Sequence, residues 1–320
     1  MNKSIIKTII LTALAFLPFL SMAFSETTDG GQLTAEITPI NPGPNTETYI
    51  HLVSYEVDLT RSYISWIINN TKQEEGIGKD SIKFVTGNVG KKVVLNIKVL
   101  TPDDKQIIKN ISILPADINI LWQSKGYTPP FYRGKSLVSG NSTVKLIAIP
   151  SIKNEAGQTI NPAQLSYNWK VNYKDFKSGY GANSITINTG DLWENTISVD
   201  ASEPNLGLVA TKRIVLTPSK LKPLIYVTGP LSGPVYSNTI KDVLNMDNPE
   251  TTIRIEPFFF DVQNNDPGKL DYEWYLNFSP ITTKSNELTL RKPDLGGDSI
   301  LNIRTIGVSQ LNQTSLLVKF

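Results

Sequence analysis

Three tryptophans recur in one local context. They lie in Ile64-Ser65-Trp66-Ile67-Ile68-Asn69, Tyr167-Asn168-Trp169-Lys170-Val171-Asn172 and Tyr272-Glu273-Trp274-Tyr275-Leu276-Asn277. Each reads apolar or aromatic, any residue, Trp, any residue, apolar, Asn. The tryptophans are 103 and 105 residues apart, whereas Ile82, Ile185 and Leu288 downstream are spaced by 103 and 103. The third copy therefore carries two extra residues before its tryptophan and two fewer after it. Asn88-Val89-Gly90, Asp191-Leu192-Trp193 and Asp294-Leu295-Gly296 keep the same period. Upstream, Trp122 pairs with Tyr226, Pro130 with Pro234 and Tyr132 with Tyr236 at 104. Landmarks that share one period mark tandem copies of one structural unit, and such a repeat constrains the fold more than any composition figure.

Within each copy the hydrophobic pattern is that of strands. Val93–Val99, Thr143–Ile149 and Leu301–Ile306 are short, rich in β-branched residues and largely alternating, which suits strands with one buried face. Gly, Pro, Asn and Asp clusters such as Asn41-Pro42-Gly43-Pro44 and Asn264-Asn265-Asp266-Pro267-Gly268 separate them. The best short-helix candidate is Asn238–Met246. Units of about 100 residues with many short strands and one central Trp predict immunoglobulin-like β-sandwiches. The expected fold is all-β, with three tandem sandwiches at residues 32–115, 116–219 and 220–320. The chain has no cysteine, so no disulfide can join the sheets, and burial of Trp66, Trp169 and Trp274 is expected to hold each sandwich. Short connections at Leu114-Pro115-Ala116 and Pro218-Ser219-Lys220 predict fixed angles between neighbours.

The N-terminus has a different character. Lys3 and Lys7 precede an almost wholly apolar run from Thr8 to Leu20, and Ser21-Met22-Ala23 supplies small residues for a processing peptidase. This pattern predicts a secretory signal over residues 1–23, cleaved after Ala23. The run is shorter than the roughly 20 residues a membrane-spanning helix needs, which disfavours an uncleaved anchor. The segment 1–23 holds two lysines and no acid. The net charge of +2, from 31 basic and 29 acidic residues, therefore reduces to zero in the remainder. A neutral chain lacks the basic excess of a nucleic-acid binder. The expected location is extracytoplasmic, secreted or at the cell surface.

Chemistry-bearing residues are sparse. The absence of cysteine excludes thiolate metal sites, iron–sulfur clusters and lipidated cysteine anchors, and the lone His51 lies in an alternating strand, on its solvent side. No hydrolase elbow, phosphate loop or histidine–metal spacing is present, so no cofactor is expected and an enzyme is the least favoured class. A carboxylate-pair hydrolase stays open, because two acids need no motif. Trp193 stands where the other copies have Gly90 and Gly296; the fold does not need it, which makes it a candidate contact residue. Tyr127, Phe131 and Arg133 are further candidates, in the segment Lys125–Lys135, whose remaining features match Gly229–Tyr236 and read as a stiffened edge strand. Asp261, Asn264, Asn265 and Asp266 are oxygen donors that could hold Ca²⁺, although Asx residues are equally the ordinary residues of turns.

The third copy carries a resemblance. Phe260-Asp261-Val262-Gln263-Asn264-Asn265-Asp266-Pro267-Gly268-Lys269-Leu270-Asp271-Tyr272-Glu273-Trp274 is similar to the corresponding segment of polycystic-kidney-disease (PKD) repeats, which read Asp-Pro-x-Gly, a short gap, then Tyr-x-Trp. The second copy keeps Tyr167-x-Trp169, with Asn154-Glu155-Ala156-Gly157 read as its turn; the Phe-Gly-Asp-Gly of that family is missing from all three copies. The whole chain also resembles uncharacterised exported proteins of candidate-phylum bacteria, with a junction that here runs from Trp122-Gln123-Ser124 to Pro129-Pro130-Phe131-Tyr132. The resemblance implies PKD-like, bacterial immunoglobulin-like modules that space, adhere or bind outside the cell. The expected function is that of an exported, non-catalytic cell-surface spacer or adhesion module. Its partners would be other surface or extracellular proteins, or a surface polysaccharide. The alternative is an accessory carbohydrate-binding module using Trp193 and the Tyr127–Arg133 loop.

Overall fold

The computed structural model describes residues 26–28 and 32–320. The proposed signal over residues 1–23 lies outside the described residues. Among the described residues, all regular structure is strand apart from four single-turn 3-10 segments. Among the described residues, no helix is long and apolar enough to cross a membrane.

Among the described residues, six sheets sort along the sequence in pairs. Residues 34–85 contribute the sheet of Thr34–Thr38, Glu47–Val53 and Ser81–Val85. Its companion has the order Glu26–Thr28, Gln106–Ile113, Val93–Leu100, Tyr63–Ile68, Thr71–Ile77. The second sandwich pairs Ser184–Asn188, Thr143–Ser151 and Asp117–Ser124 with the sheet Lys174–Tyr180, Ser166–Val171, Asn195–Glu203 and Leu208–Leu216. The third pairs Gly233–Pro234, Lys222–Gly229, Glu250–Phe258 and Glu287–Arg291 with Val243–Asn245, Leu311–Lys319, Asp298–Ile306, Asp271–Leu276 and Ser279–Ile281. These are immunoglobulin-like tandem β-sandwiches, with the hairpin partner of the Trp strand on the same sheet as the last two long strands. By contacts the chain forms two compact units. One takes the first sandwich's residues up to 37, 49–83 and 94–112; the other takes 38–48, 84–93 and 113–320.

The alternating pattern buries one face of each strand. In Thr143–Ser151, residues Val144, Leu146, Ala148 and Pro150 point inward, and in Val93–Leu100 it is Val93, Leu95, Ile97 and Val99. Trp66, Trp169 and Trp274 are fully buried, each paired across the sheet with an aliphatic residue: Ile97, Val199 and Ile303. Burial does not act alone. Each indole N–H donates to a backbone carbonyl: Trp66 to Lys79 at 2.7 Å, Trp169 to Ala182 at 2.8 Å, Trp274 to Ser285 at 2.9 Å. A buried N–H without such a partner would be costly, and these bonds fasten the Trp strand to the chain beyond its hairpin.

The asparagine closing each Trp motif has its own task. Asn69, Asn172 and Asn277 take left-handed φ of 49°, 51° and 47°, followed by Asn70 (65°), Tyr173 (66°) and Phe278 (68°). Two consecutive positive φ values define a type I′ hairpin turn, which asparagine and glycine tolerate best. The side-chain oxygen of each asparagine accepts from the backbone N–H of Val94, Thr196 or Ile300, at 2.9 Å in all three. A bulky residue at the second position is disfavoured in this conformation by about 1 kcal/mol or more. Phe278→Gly is therefore expected to stabilise the third sandwich by about 1 kcal/mol, read as a higher urea midpoint; an unchanged or lower midpoint would contradict the strain.

Two local expectations are corrected. Asn238–Met246 is not helical: Val243–Asn245 is a short strand running parallel to Leu317–Lys319, with Leu244 and Met246 buried at strand spacing. The counterpart of Asp266-Pro267 is Asn161-Pro162 rather than Asn154–Gly157. Asn161 and Asp266 each cap a 3-10 turn, accepting from Ala163 N and Gly268 N, and the tyrosine two residues before each Trp bonds the turn's proline carbonyl (Tyr167 to Pro162, Tyr272 to Pro267). Asn154–Gln158 is a separate hairpin turn. His51 lies on the outer face of its strand, opposite buried Ile50 and Leu52, with Nδ1 3.8 Å from the Asp80 carboxylate.

Candidate functional site

In the second unit, polar and aromatic side chains of the second and third sandwiches meet at their joint. Strand Asp117–Ser124 belongs to the second sandwich, yet the chain that leaves it crosses onto the third as a strap. Gly126 bridges Asp261; a Cβ there would press on Phe259 and Ser136 at 3.0 and 2.7 Å, so glycine is required for the close approach. Tyr127 N donates to Phe260 O (2.6 Å), and its carbonyl accepts from Phe259 N (2.8 Å). The Asn265 side chain brackets the Thr128 backbone, accepting from its N–H at 3.0 Å and donating to its carbonyl at 2.9 Å.

The Tyr127 side chain enters the core of the third sandwich beside Phe260, Tyr272 and Trp274, and is 3% exposed. Its hydroxyl donates to Glu256 Oε2 at 2.5 Å. Glu256 is itself fully buried, and its other oxygen accepts from Tyr236 Oη at 3.0 Å and Arg254 Nε at 2.8 Å. Arg254 also reaches Glu287 at 3.1 Å. A buried carboxylate persists only when paired and hydrogen-bonded, and here three donors serve it. One of them comes from the strap. Beyond Tyr127, Phe131 and Tyr132 join a ring cluster: Phe131 lies 4.0 Å from Tyr236 centroid to centroid, and Tyr132 packs edge-on against Phe258 at 5.6 Å. The strap returns at Val138–Ser139, where Ser139 Oγ donates to Phe259 O at 2.7 Å. Gln310 Nε2 then donates to Gly140 O (2.7 Å), and its Oε1 accepts from Asp261 N (2.7 Å). Phe259 holds a left-handed φ of 70°, unusual for so large a residue, and the bonds at its N–H and carbonyl fix it there.

Tyr127 was expected at a contact surface; it is an internal plug, because burying its ring and satisfying Glu256 outweigh exposure. The Lys125–Lys135 segment is a strap across the joint rather than an edge strand of the second sandwich. Phe131 stays partly exposed on the ring cluster, and Arg133 is exposed. Trp193 is 89% exposed on the loop between Ser184–Asn188 and Asn195–Glu203. Three of the four candidate calcium donors have partners, and Asn264 is exposed. Asp261 Oδ2 accepts from Thr143 N (2.7 Å), Asp266 Oδ1 from Gly268 N (2.9 Å), and Asn265 holds the strap. No cluster of acidic or histidine ligands able to hold a metal occurs among the described residues.

Desolvation, and then the hydrogen bond to Glu256, push the Tyr127 phenol well above the ordinary tyrosine range. Burial also raises Tyr272 and Tyr236. A phenol whose folded pKa is raised contributes stability that is complete below its unfolded pKa of about 10 and lost as pH rises above it. The third sandwich is therefore expected to lose stability above about pH 10, and Tyr127→Phe to flatten that slope in alkaline urea titrations. An equal slope in both proteins would contradict the assignment.

Beside the strap lies a cleft of about 1180 Å³. Its walls carry Lys125, Lys135 and Lys269 against a single carboxylate, Asp261. Lys135 Nζ sits 3.3 Å from the ring centroid of Trp122, and partial burial draws its pKa down. A carboxylate-pair hydrolase needs two acids across such a cleft, and the lining supplies one, already bonded to Thr143.

No protein-family model and no curated protein matches the sequence. Among solved structures, the chain is similar to fibronectin(III)-like modules of Clostridium thermocellum CbhA, at 12% identity over 58% of this chain and 94% of that one, with a TM-score of 0.28. It is also similar to the central fibronectin-III array of RIM-binding protein (11% identity, 90% and 95% covered, TM-score 0.29). A third likeness is to a bacterial ice-binding adhesin (11% identity, 90% and 96% covered, TM-score 0.24).

Proposed function

We propose that the chain is an exported, non-catalytic spacer or adhesion module at the cell surface, in which the second and third sandwiches act as one rigid element. The observation that carries this reading is the strap. A segment covalently part of one sandwich supplies a core residue, Tyr127, and a carboxylate partner to the next. Immunoglobulin-like domains joined only by linkers move independently unless a large packed interface fixes them. A rigid pair presents its loops at a constant spacing and angle, which is what a spacer or adhesin requires. Export rests on the N-terminal pattern of two lysines, an apolar run and Ser21-Met22-Ala23.

The cysteine-free chain makes the test direct. With Asn119→Cys and Gln313→Cys spin-labelled, double electron–electron resonance is expected to give one narrow distance distribution. A broad distribution would overturn the rigid pair, and retention in the cytoplasmic fraction would overturn export. The exposed Trp193 favours a second reading, an accessory carbohydrate-binding role.

A further inference from the structure

The cleft at the joint differs from the rest of a charge-neutral surface. Lys125, on the strap, and Lys269, on the 3-10 turn of the third sandwich, make no ion pair or side-chain hydrogen bond among the described residues, and neither do Gln123, Asn264 or Ser309. The one acid in the lining, Asp261, is held by Thr143 N. The walls thus offer uncommitted cations beside uncommitted amide and hydroxyl groups, each amide able to donate and accept.

An aromatic loop adjoins this lining. Asn141, in the cleft, donates through its backbone to Gly190 O at 2.8 Å and through its side chain to the Asp191 carboxylate. That binds the loop carrying Trp193 to the cleft wall. At the other end of the loop, Asn172 holds Thr196 and Asn195; the next residue, Tyr173, is exposed, with the Arg213 guanidinium 5.5 Å from its ring. Neither exposed ring serves the core.

Cations select acid groups, amides and hydroxyls suit vicinal hydroxyls, and an exposed indole face stacks on a sugar ring. We propose that the cleft between the second and third sandwiches binds an acidic oligosaccharide, with Lys125 and Lys269 on its acid groups and Trp193 stacking at the rim. An acidic peptide would use the lysines and leave Trp193 idle. The cleft exists only while the joint is closed, so this inference rests on the rigid pair proposed above.

The test is calorimetric titration of the intact protein with tetragalacturonate, a heparin-derived tetrasaccharide, neutral maltotetraose and polyglutamate. At least one acidic tetrasaccharide is expected to bind, more weakly as salt is raised. The Lys125→Ala/Lys269→Ala protein is expected to bind about tenfold more weakly, and Trp193→Ala about fivefold or more. Far-UV circular dichroism checks the fold of these surface variants. The proposal is overturned if neither acidic sugar binds, if maltotetraose or polyglutamate binds equally well, or if either variant binds as the parent does. A narrow spin-label distance in a protein that binds no acidic sugar separates failure of this site from failure of the rigid pair.

Discussion

Tyr127→Ala is expected to weaken the joint by about 3–5 kcal/mol, the usual range for truncating a buried aromatic. Two losses coincide. A ring that fills the third sandwich's core next to Trp274 disappears, and the space cannot be refilled by a strap still pinned at Gly126 and Thr128. Glu256 also loses its shortest donor and keeps Tyr236 and Arg254. The conservative change dissects the two: Tyr127→Phe retains the ring and is expected to cost about 1–2 kcal/mol, the penalty for under-serving a buried acceptor. The Asn119–Gln313 spin-label distance should broaden in the alanine protein and stay narrow in the phenylalanine one. An alanine protein with an unchanged distribution and urea midpoint would mean that the strap follows the joint rather than making it.

The split between what could and could not be read in advance runs along the sequence distance of the contacts. Strand periodicity is local, so Val144, Leu146 and Ala148 declare their inward face within one segment, and the repeat places Trp66, Trp169 and Trp274 by counting. The exposure of Trp193 followed from a comparison of copies, since glycine serves at the matching positions. The strap obeys neither rule. Tyr127 meets Glu256 across 129 residues, and nothing in its neighbourhood of glycine, threonine and prolines says that its partner lies in another sandwich. The available hint was negative: Tyr127, Phe131 and Arg133 had no counterparts in Gly229–Tyr236, and Phe258-Phe259-Phe260 placed three large rings in succession where alternation would bury only every other one. The candidate calcium donors illustrate a related point. Side-chain oxygens look free in a sequence until backbone N–H groups, such as that of Thr143 from the neighbouring sandwich, claim them.

Trp274→Ala is expected to lower the local opening free energy of the third sandwich by about 3–5 kcal/mol. Amide exchange resolves this effect strand by strand within the third sandwich, which a urea midpoint does not. Trp274 lies in the strand Asp271–Leu276, paired with Asp298–Ile306 on one side and Ser279–Ile281 on the other. Its indole N–H fixes the Ser285 carbonyl at 2.9 Å, which places the start of strand Glu287–Arg291 in the opposite sheet. Truncation therefore opens a cavity between the sheets and unfastens the chain that joins them. Protection in Asp298–Ile306 should fall by roughly two to three and a half orders of magnitude, the same free energy expressed as an equilibrium constant. Trp274→Phe fills most of the space but leaves Ser285 without its donor, and is expected to cost about 1–3 kcal/mol. If the phenylalanine protein exchanged as slowly as the parent, packing alone would account for the residue, and the indole bond common to the three sandwiches would be incidental. If alanine cost less than about 1 kcal/mol, the Trp would not be the element that replaces a disulfide between the sheets.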